Sequence, residues 1–373
     1  MTPPTSPERL SVLDRPNSYI GKVVPRPNLD RLMQGRGLYV SDVTLPRMVH
    51  VVFLRSPHAH AAIAAIDAAE ARRMPGVIAV VTGEQLAKII TPWVGVLSHL
   101  KGLKSAPQHA IAIDRVCWQG EAVAAIVAES RALAEDAAEQ VRVEYLELEA
   151  VTNMRTALDP ATPVIYPSLG DNLAFERHLD VGTVDAAFAT SDAVVEAEFV
   201  FGRHTGVTLE PRAVVADWNA AEARLTIYQG TQAPHMVQNI AALHLGLDDA
   251  QVRVVCKDVG GSFGIKVHIY ADEMATYALS KLLRRPVKFV ADRVESFNTD
   301  IHARDLAARV GSASTLTAPL RRSRSMISPE LVPIRCIRAP APSKPTRSST
   351  WLAAPMRRRT TARGPASCCR TRT

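Results

Sequence analysis

The residues with the most chemical potential lie in one stretch, Lys257-Asp258-Val259-Gly260-Gly261-Ser262-Phe263-Gly264-Ile265-Lys266. Three glycines within five residues let the backbone reach positive φ and bring its amide groups close to a ligand, so the loop could cradle an anionic cofactor. Glycine clusters between a strand and a helix are also common as plain tight turns. His58 and His60 share a spacing that could bind a metal, but no third ligand lies nearby, which favours a structural or surface role. Cys117, Cys256, Cys336, Cys368 and Cys369 show neither metal-ligand nor disulfide spacing.

These residues need elements to position them. Gln251 to Val255 has the β-branched character of a strand leading into the loop, and Tyr270 to Leu283 reads as a helix ended by Arg284-Arg285-Pro286. Upstream, Met48 to Arg55, Val77 to Thr82 and Ala122 to Ala128 read as strands. Ala68 to Arg73 and Ser130 to Gln140 read as helices. Further on, strands at Glu196 to Phe201, Arg212 to Asn219, Leu225 to Gln229 and Val252 to Lys257 bracket a helix at Met236 to Leu245. The class is α+β, with helices and strands mixed.

Taken in order, Leu209-Glu210-Pro211-Arg212, Gly230-Thr231-Gln232-Ala233-Pro234-His235, the glycine loop, Arg285-Pro286-Val287-Lys288-Phe289, Asp292-Arg293-Val294-Glu295-Ser296-Phe297 and His302-Ala303-Arg304-Asp305 resemble the molybdopterin-binding large subunit of the xanthine dehydrogenase, aldehyde oxidase and aerobic carbon monoxide dehydrogenase family. Gly37-Leu38-Tyr39-Val40-Ser41-Asp42, Arg55-Ser56-Pro57-His58-Ala59-His60 and Pro75-Gly76-Val77 resemble its N-terminal α/β hammerhead domain. The resemblance implies an extended arm over residues 1–30, a hammerhead domain over 31–153, a connector over 154–190 and the first part of a molybdenum-cofactor domain over 191–305.

Carried over residue by residue, the resemblance makes Gln232 the amide that hydrogen-bonds an oxygen of the metal centre. Gly260, Gly261, Ser262, Phe263 and Gly264 become the loop beside the cofactor, with the Phe263 ring bordering the substrate pocket. The usual loop has a third glycine where this chain has Ser262, which turns tightly only if its φ stays negative. Ordinary core packing is the alternative for Phe263. Purine-oxidising members place a glutamate after the loop lysine. Val267 stands there and cannot hydrogen-bond a heterocycle, so xanthine is not the expected substrate. Glu210 is expected to act structurally, at a strand edge held by Pro211, rather than as a general base. The family's general-base glutamate has no counterpart in this chain.

The same resemblance implies a molybdenum-molybdopterin cofactor, in the cytosine dinucleotide form, that oxidises an aldehyde, an N-heterocycle or carbon monoxide with water as the oxygen source. Electrons would pass to [2Fe-2S] clusters on a small subunit and FAD on a medium subunit, in a dimer of heterotrimers. A non-catalytic assembly protein built on the hammerhead domain is the rival reading.

Composition divides the chain. With 373 residues, 47% of them hydrophobic, it can bury two or three cores. Residues 306–373 hold 14 of the 44 Lys and Arg but only one of the 37 acids, Glu330, so the basic balance belongs to this tail. Rich in Arg, Ser, Thr and Pro, the tail is expected to be disordered. A nucleic-acid-binding arm is one reading of it. The preferred reading is a shifted frame: back-translating Leu331 to Arg338 and reading two bases later gives Gly-Pro-Tyr-Ser-Met-Tyr-Pro, which resembles the family's continuation. The chain is then an inactive fragment, binding neither nucleic acid nor membrane. The N-terminus lacks an apolar signal region and no run of about 18 apolar residues occurs, so a cytoplasmic location is expected.

Overall fold

Alternating apolar strands and short alanine-rich helices build the structure, a computed structural model that describes residues 19–94, 101–176, 184–314 and 322–326. The first half contributes α1 (Leu29–Met33), β1 (Val49–Arg55), β2 (Ala61–Asp67), α2 (Ala69–Arg73), β3 (Val77–Thr82), α3 (Gly83–Leu86), β4 (Arg115–Val116), β5 (Ala122–Ala128), α4 (Arg131–Ala138) and β6 (Arg142–Glu147). The second contributes α5 (Val184–Ala189), β7 (Ala193–Phe201), β8 (Ala213–Asn219), β9 (Arg224–Gln229), α6 (Pro234–Leu245), β10 (Val252–Val255), α7 (Ala271–Leu283), β11 (Val287–Val290), α8 (Arg293–Thr299), β12 (Leu306–Ser314) and β13 (Arg322–Met326). Most of residues 1–30, expected as an arm, lie outside the described residues.

The central layer is a seven-stranded sheet in the order β10-β9-β8-β11-β1-β5-β3. β5, Ala-Val-Ala-Ala-Ile-Val-Ala, is buried along its whole length. Both faces must therefore be covered, and its small side chains let helices approach closely. Ala124, Ile126 and Ala128 meet the buried Ala134 and Ala137 of α4 on one side. Ala125 and Val127 join the larger core with Met274, Tyr277 and Ala278 of α7 on the other. Full burial of a residue the size of Ile126 contributes roughly 1.5–3 kcal/mol.

The two sequence segments expected as separate domains share this sheet. β1 pairs with β11 in parallel, Val49 opposite Val287 and His50 opposite Lys288. No local pattern encodes that seam, because each strand reads the same whether its neighbour is near or far in sequence. A smaller sheet, β4-β2-β6, completes the first half.

Ordered structure also continues past Asp305, which corrects the expected start of a disordered tail at residue 306. β12 pairs with all nine residues of β7, from Leu306 opposite Phe201 to Ser314 opposite Ala193, and with β13 on its other side. The strand is hidden in Leu-Ala-Ala-Arg-Val-Gly-Ser-Ala-Ser because apolar and polar residues do not alternate cleanly, and its β7 partner is exposed along its length. Among the described residues, no helix is long and apolar enough to cross a membrane.

Candidate functional site

Thr231-Gln232-Ala233-Pro234 leads from β9 into α6. Pro234 sits in the first helical turn, where its missing N–H costs nothing, and Gly246 closes the helix in the left-handed region at φ 64°. Ahead of the helix, the Thr231 hydroxyl accepts from the Ala233 N–H at 3.1 Å and donates to the Lys266 carbonyl at 3.1 Å. The Gln232 N–H donates to that same carbonyl at 2.9 Å. Residues far apart in sequence are thus locked together, and Gln232 lies on the rim of the glycine loop.

The loop takes positive φ at Gly261 (103°), Phe263 (50°) and Gly264 (92°), while Ser262 stays outside that region. Serine is therefore compatible with this turn. Ser262 organises it, because its carbonyl accepts from the Ile265 N–H at 2.8 Å and its hydroxyl accepts from the Lys266 N–H at 3.2 Å. The same hydroxyl reaches Gln232 Oε1 at 2.5 Å. Phe263 is 78% exposed, so its ring takes no part in the core of the described residues.

The Gly260 N–H donates to Glu210 Oε2 at 2.7 Å and so is not free for a ligand. A Cβ at Gly260 would stand 2.4 Å from Glu210 Cβ, so the glycine is needed for close approach of Glu210. Glu210 is not at a strand edge, since β8 begins at Ala213. It is the partner of Lys266, whose Nζ donates to Oε2 at 2.7 Å. Glu210 Oε1 is buried without a hydrogen-bond partner, leaving an acceptor beside the loop.

Two further ties fix the loop. Arg31 holds Asp258 bidentately at 2.6 and 2.7 Å, and the Leu38 N–H donates to the same carboxylate at 2.8 Å. These hydrogen bonds, the Arg31 one foremost, hold the Asp258 carboxyl well below the usual range. Beyond the loop, the Tyr270 hydroxyl donates to the Ile265 carbonyl at 2.9 Å, and its ring carries the Arg212 guanidinium 3.8 Å from the centroid.

Arg212 is the hub of a buried ionic cluster. It donates to Asp300 at 2.6 Å, to Asp272 at 2.7 and 3.0 Å, to Thr299 at 2.9 Å and to Glu273 at 3.4 Å. Arg55 of β1 donates to Asp272 at 2.9 Å and to Glu295 at 2.7 Å, joining the first half of the chain to the cluster. Burial works against the Asp272 charge, yet Arg212 and Arg55 hold its carboxyl far below the usual range. Glu273 goes the other way: burial and the nearby Asp272 push it up to about 7 against the pull of Arg212.

Of the expected site residues, Ser262 meets Gln232, Phe263 and Gly264 are exposed beside them, and Gly261 is half-buried. Lys266, Arg31 and Arg55 were missed. The Lys266 signal was in the loop itself, a lone cation directly after a turn. His58 and His60 lie elsewhere: the His58 ring contacts the Tyr145 ring at a tilt of 57° with centroids 4.8 Å apart, and His60 Nδ1 pairs with the Glu149 carbonyl at 2.9 Å. The positive-φ loop, its exposed aromatic ring and the Gln232 amide together suit a ligand rich in oxygen acceptors, as a metal-bearing pterin is.

Residues 34–149 match the family described as the aldehyde oxidase and xanthine dehydrogenase a/b hammerhead domain, and residues 165–317 match the molybdopterin cofactor-binding domain. The second match, like β12, runs past Asp305. The nicotine 6-hydroxylase large subunit of Paenarthrobacter nicotinovorans is 36% identical over 303 residues, covering 79% of this chain and 37% of the relative. The carbon monoxide dehydrogenase large chain of Hydrogenophaga pseudoflava is 35% identical over 288 residues, covering 74% and 35%. Among solved structures, quinoline 2-oxidoreductase from Pseudomonas putida 86 superposes with a TM-score of 0.78 at 34% identity, over 81% of this chain and 38% of that one. The chain therefore spans little more than a third of the length of these relatives.

Proposed function

Because the chain belongs to the molybdopterin-binding large-subunit family of xanthine dehydrogenases, aldehyde oxidases and carbon monoxide dehydrogenases, we propose that it forms one wall of a molybdenum-cofactor site in an oxidoreductase. The observation that carries this reading is the joining of Gln232 to the glycine loop through the Lys266 carbonyl and the Ser262 hydroxyl. When bound, the molybdenum cofactor, in its cytosine dinucleotide form, supplies a two-electron oxidation with water as the oxygen source. Gln232 would help to hold the cofactor by offering it an uncharged hydrogen-bond donor. The backbone from Gly261 to Gly264 packs beside the cofactor, and the Phe263 ring borders the substrate. Glu210 and Lys266 hold the loop from behind.

The substrate class is an aldehyde, an N-heterocycle or carbon monoxide, with Val267 unsuited to hydrogen-bonding a purine. The partners are a medium subunit with FAD and a small subunit with [2Fe-2S] clusters, in a dimer of heterotrimers in the cytoplasm. We assign the general base to a glutamate in a displaced downstream frame, which resequencing from codon 300 onward tests.

Metal and pterin analysis tests the cofactor assignment. The chain, made in cells that synthesise molybdopterin, should co-elute with molybdenum and a fluorescent oxidised pterin, and Gln232→Ala should reduce both without lowering the melting temperature. A folded, metal-free and pterin-free chain would sink the reading.

A further inference from the structure

We propose that Ser262 is a positioning residue that fixes the polarity of the Gln232 amide, turning its carbonyl inward and its NH2 toward the ligand. This rests on the reading of Gln232 as a cofactor contact, but the geometry behind it involves this chain alone.

Gln232 is held at both ends by one turn. Its backbone N–H is bound by the Lys266 carbonyl at 2.9 Å, and its Oε1 meets Ser262 Oγ at 2.5 Å. The Ser262 hydroxyl already accepts from the Lys266 N–H at 3.2 Å. Its own hydrogen is then available for a second partner, and Gln232 Oε1 is the acceptor within reach. Reversing the amide would set an NH2 against an oxygen that already accepts one donor, and would leave the hydroxyl hydrogen without this acceptor. The chain N–H of Lys266 to Ser262 Oγ to Gln232 Oε1 therefore runs in one direction and ends with both Nε2 hydrogens outward. Such a surface selects ligand atoms that accept, such as oxygens on a metal or phosphate, over atoms that donate.

Ser262 can do this because its φ stays out of the positive region while its neighbours Gly261 and Phe263 carry the turn. Alanine or glycine at position 262 keeps the backbone and removes the hydroxyl, whereas threonine keeps it.

The test uses the full chain with glutamine side-chain amides labelled with nitrogen-15 and the Gln232 NH2 pair identified by its disappearance in Gln232→Glu. In Ser262→Ala and Ser262→Gly the pair should move toward the position of a free amide, with Ser262→Thr restoring it. A fall of about fivefold in the ratio of oriented to reversed amide is expected, the ratio one neutral hydrogen bond sustains. Molybdenum retained per chain should fall in the Ala and Gly variants and recover in Thr. An unmoved Gln232 pair in both Ser262→Ala and Ser262→Gly overturns the proposal. If the wild-type chain binds no molybdenum while Ser262→Ala still moves the pair, the hydroxyl–amide link stands and the proposed function falls.

Discussion

Glu210 and Lys266 meet at 2.7 Å behind the glycine loop, with Glu210 also accepting from the Gly260 N–H at 2.7 Å. The Lys266 side chain is 1% exposed, so its ammonium depends on this one carboxylate. Glu210→Gln should destabilise the chain by on the order of 3–5 kcal/mol, because it leaves a buried charge without its counter-charge. Lys266→Met should cost less, since Glu210 keeps the Gly260 hydrogen bond. Urea denaturation of both single variants and the double variant checks this. Additive losses in the double variant would show that the pair is not coupled.

Arg212→Lys should be nearly as damaging as Arg212→Ala. The guanidinium reaches Asp272, Asp300 and Thr299 at once and lies 3.8 Å over the Tyr270 ring, a fork that a single ammonium cannot reproduce. A loss of about 3 kcal/mol or more in either variant is expected from the exposed imbalance among three buried acids. Full stability in Arg212→Lys would contradict the geometry.

Glu273 should make stability depend on pH. Its carboxyl is raised from an ordinary 4.5 to about 7, chiefly by burial, so between those values the folded chain holds a proton that the unfolded chain releases. The stabilisation is complete below about 4.5 and is lost as pH rises through 7. Asp272, held low, contributes in the opposite sense and loses its part only in strong acid. Glu273→Gln should flatten the melting-temperature profile from pH 4.5 to 7, and an unchanged slope there would reject the assignment.

Phe263 occupies the left-handed region at φ 50° while its ring is 78% exposed. A non-glycine residue there costs about 1 kcal/mol, which the fold must supply from other contacts. Phe263→Gly should therefore be more stable than Phe263→Ala by about that amount. Equal denaturation midpoints would show that the strain is absent. In an assembled enzyme, both variants should broaden the range of substrates accepted.

Arg31 and Asp258 bind α1 to the start of the loop. Asp258→Asn should speed cleavage by a basic-residue-specific protease at Arg31 and Arg36, with cleavage elsewhere unchanged. Protection equal to wild type would show that the arm is held by other contacts.

Individual elements were readable because their signals are local. β3 and β5 have the bounds expected from their apolar runs, and α7 stops before Arg285-Pro286 because proline cannot continue a helix. Gln232 and the glycine loop were likewise legible as two motifs. β12 was not, since it buries only the small Ala307 and Ala313, and Gly311, Ser312 and Ser314 interrupt any alternation of apolar and polar residues.

The sequence by itself determined the strands and helices with strong local signals, among them β3, β5 and α7, and the side chains that carry hydrogen-bonding or ionic chemistry, because these depend on neighbours a few residues away. The tertiary structure alone decided that β1 lies beside β11, that Glu210 serves Lys266 and Gly260, and that Ser262 faces Gln232. Those pairings join residues tens to hundreds of positions apart. Their partners are chosen by the shared core and the need to neutralise buried charge, and neither is visible in a local window of sequence.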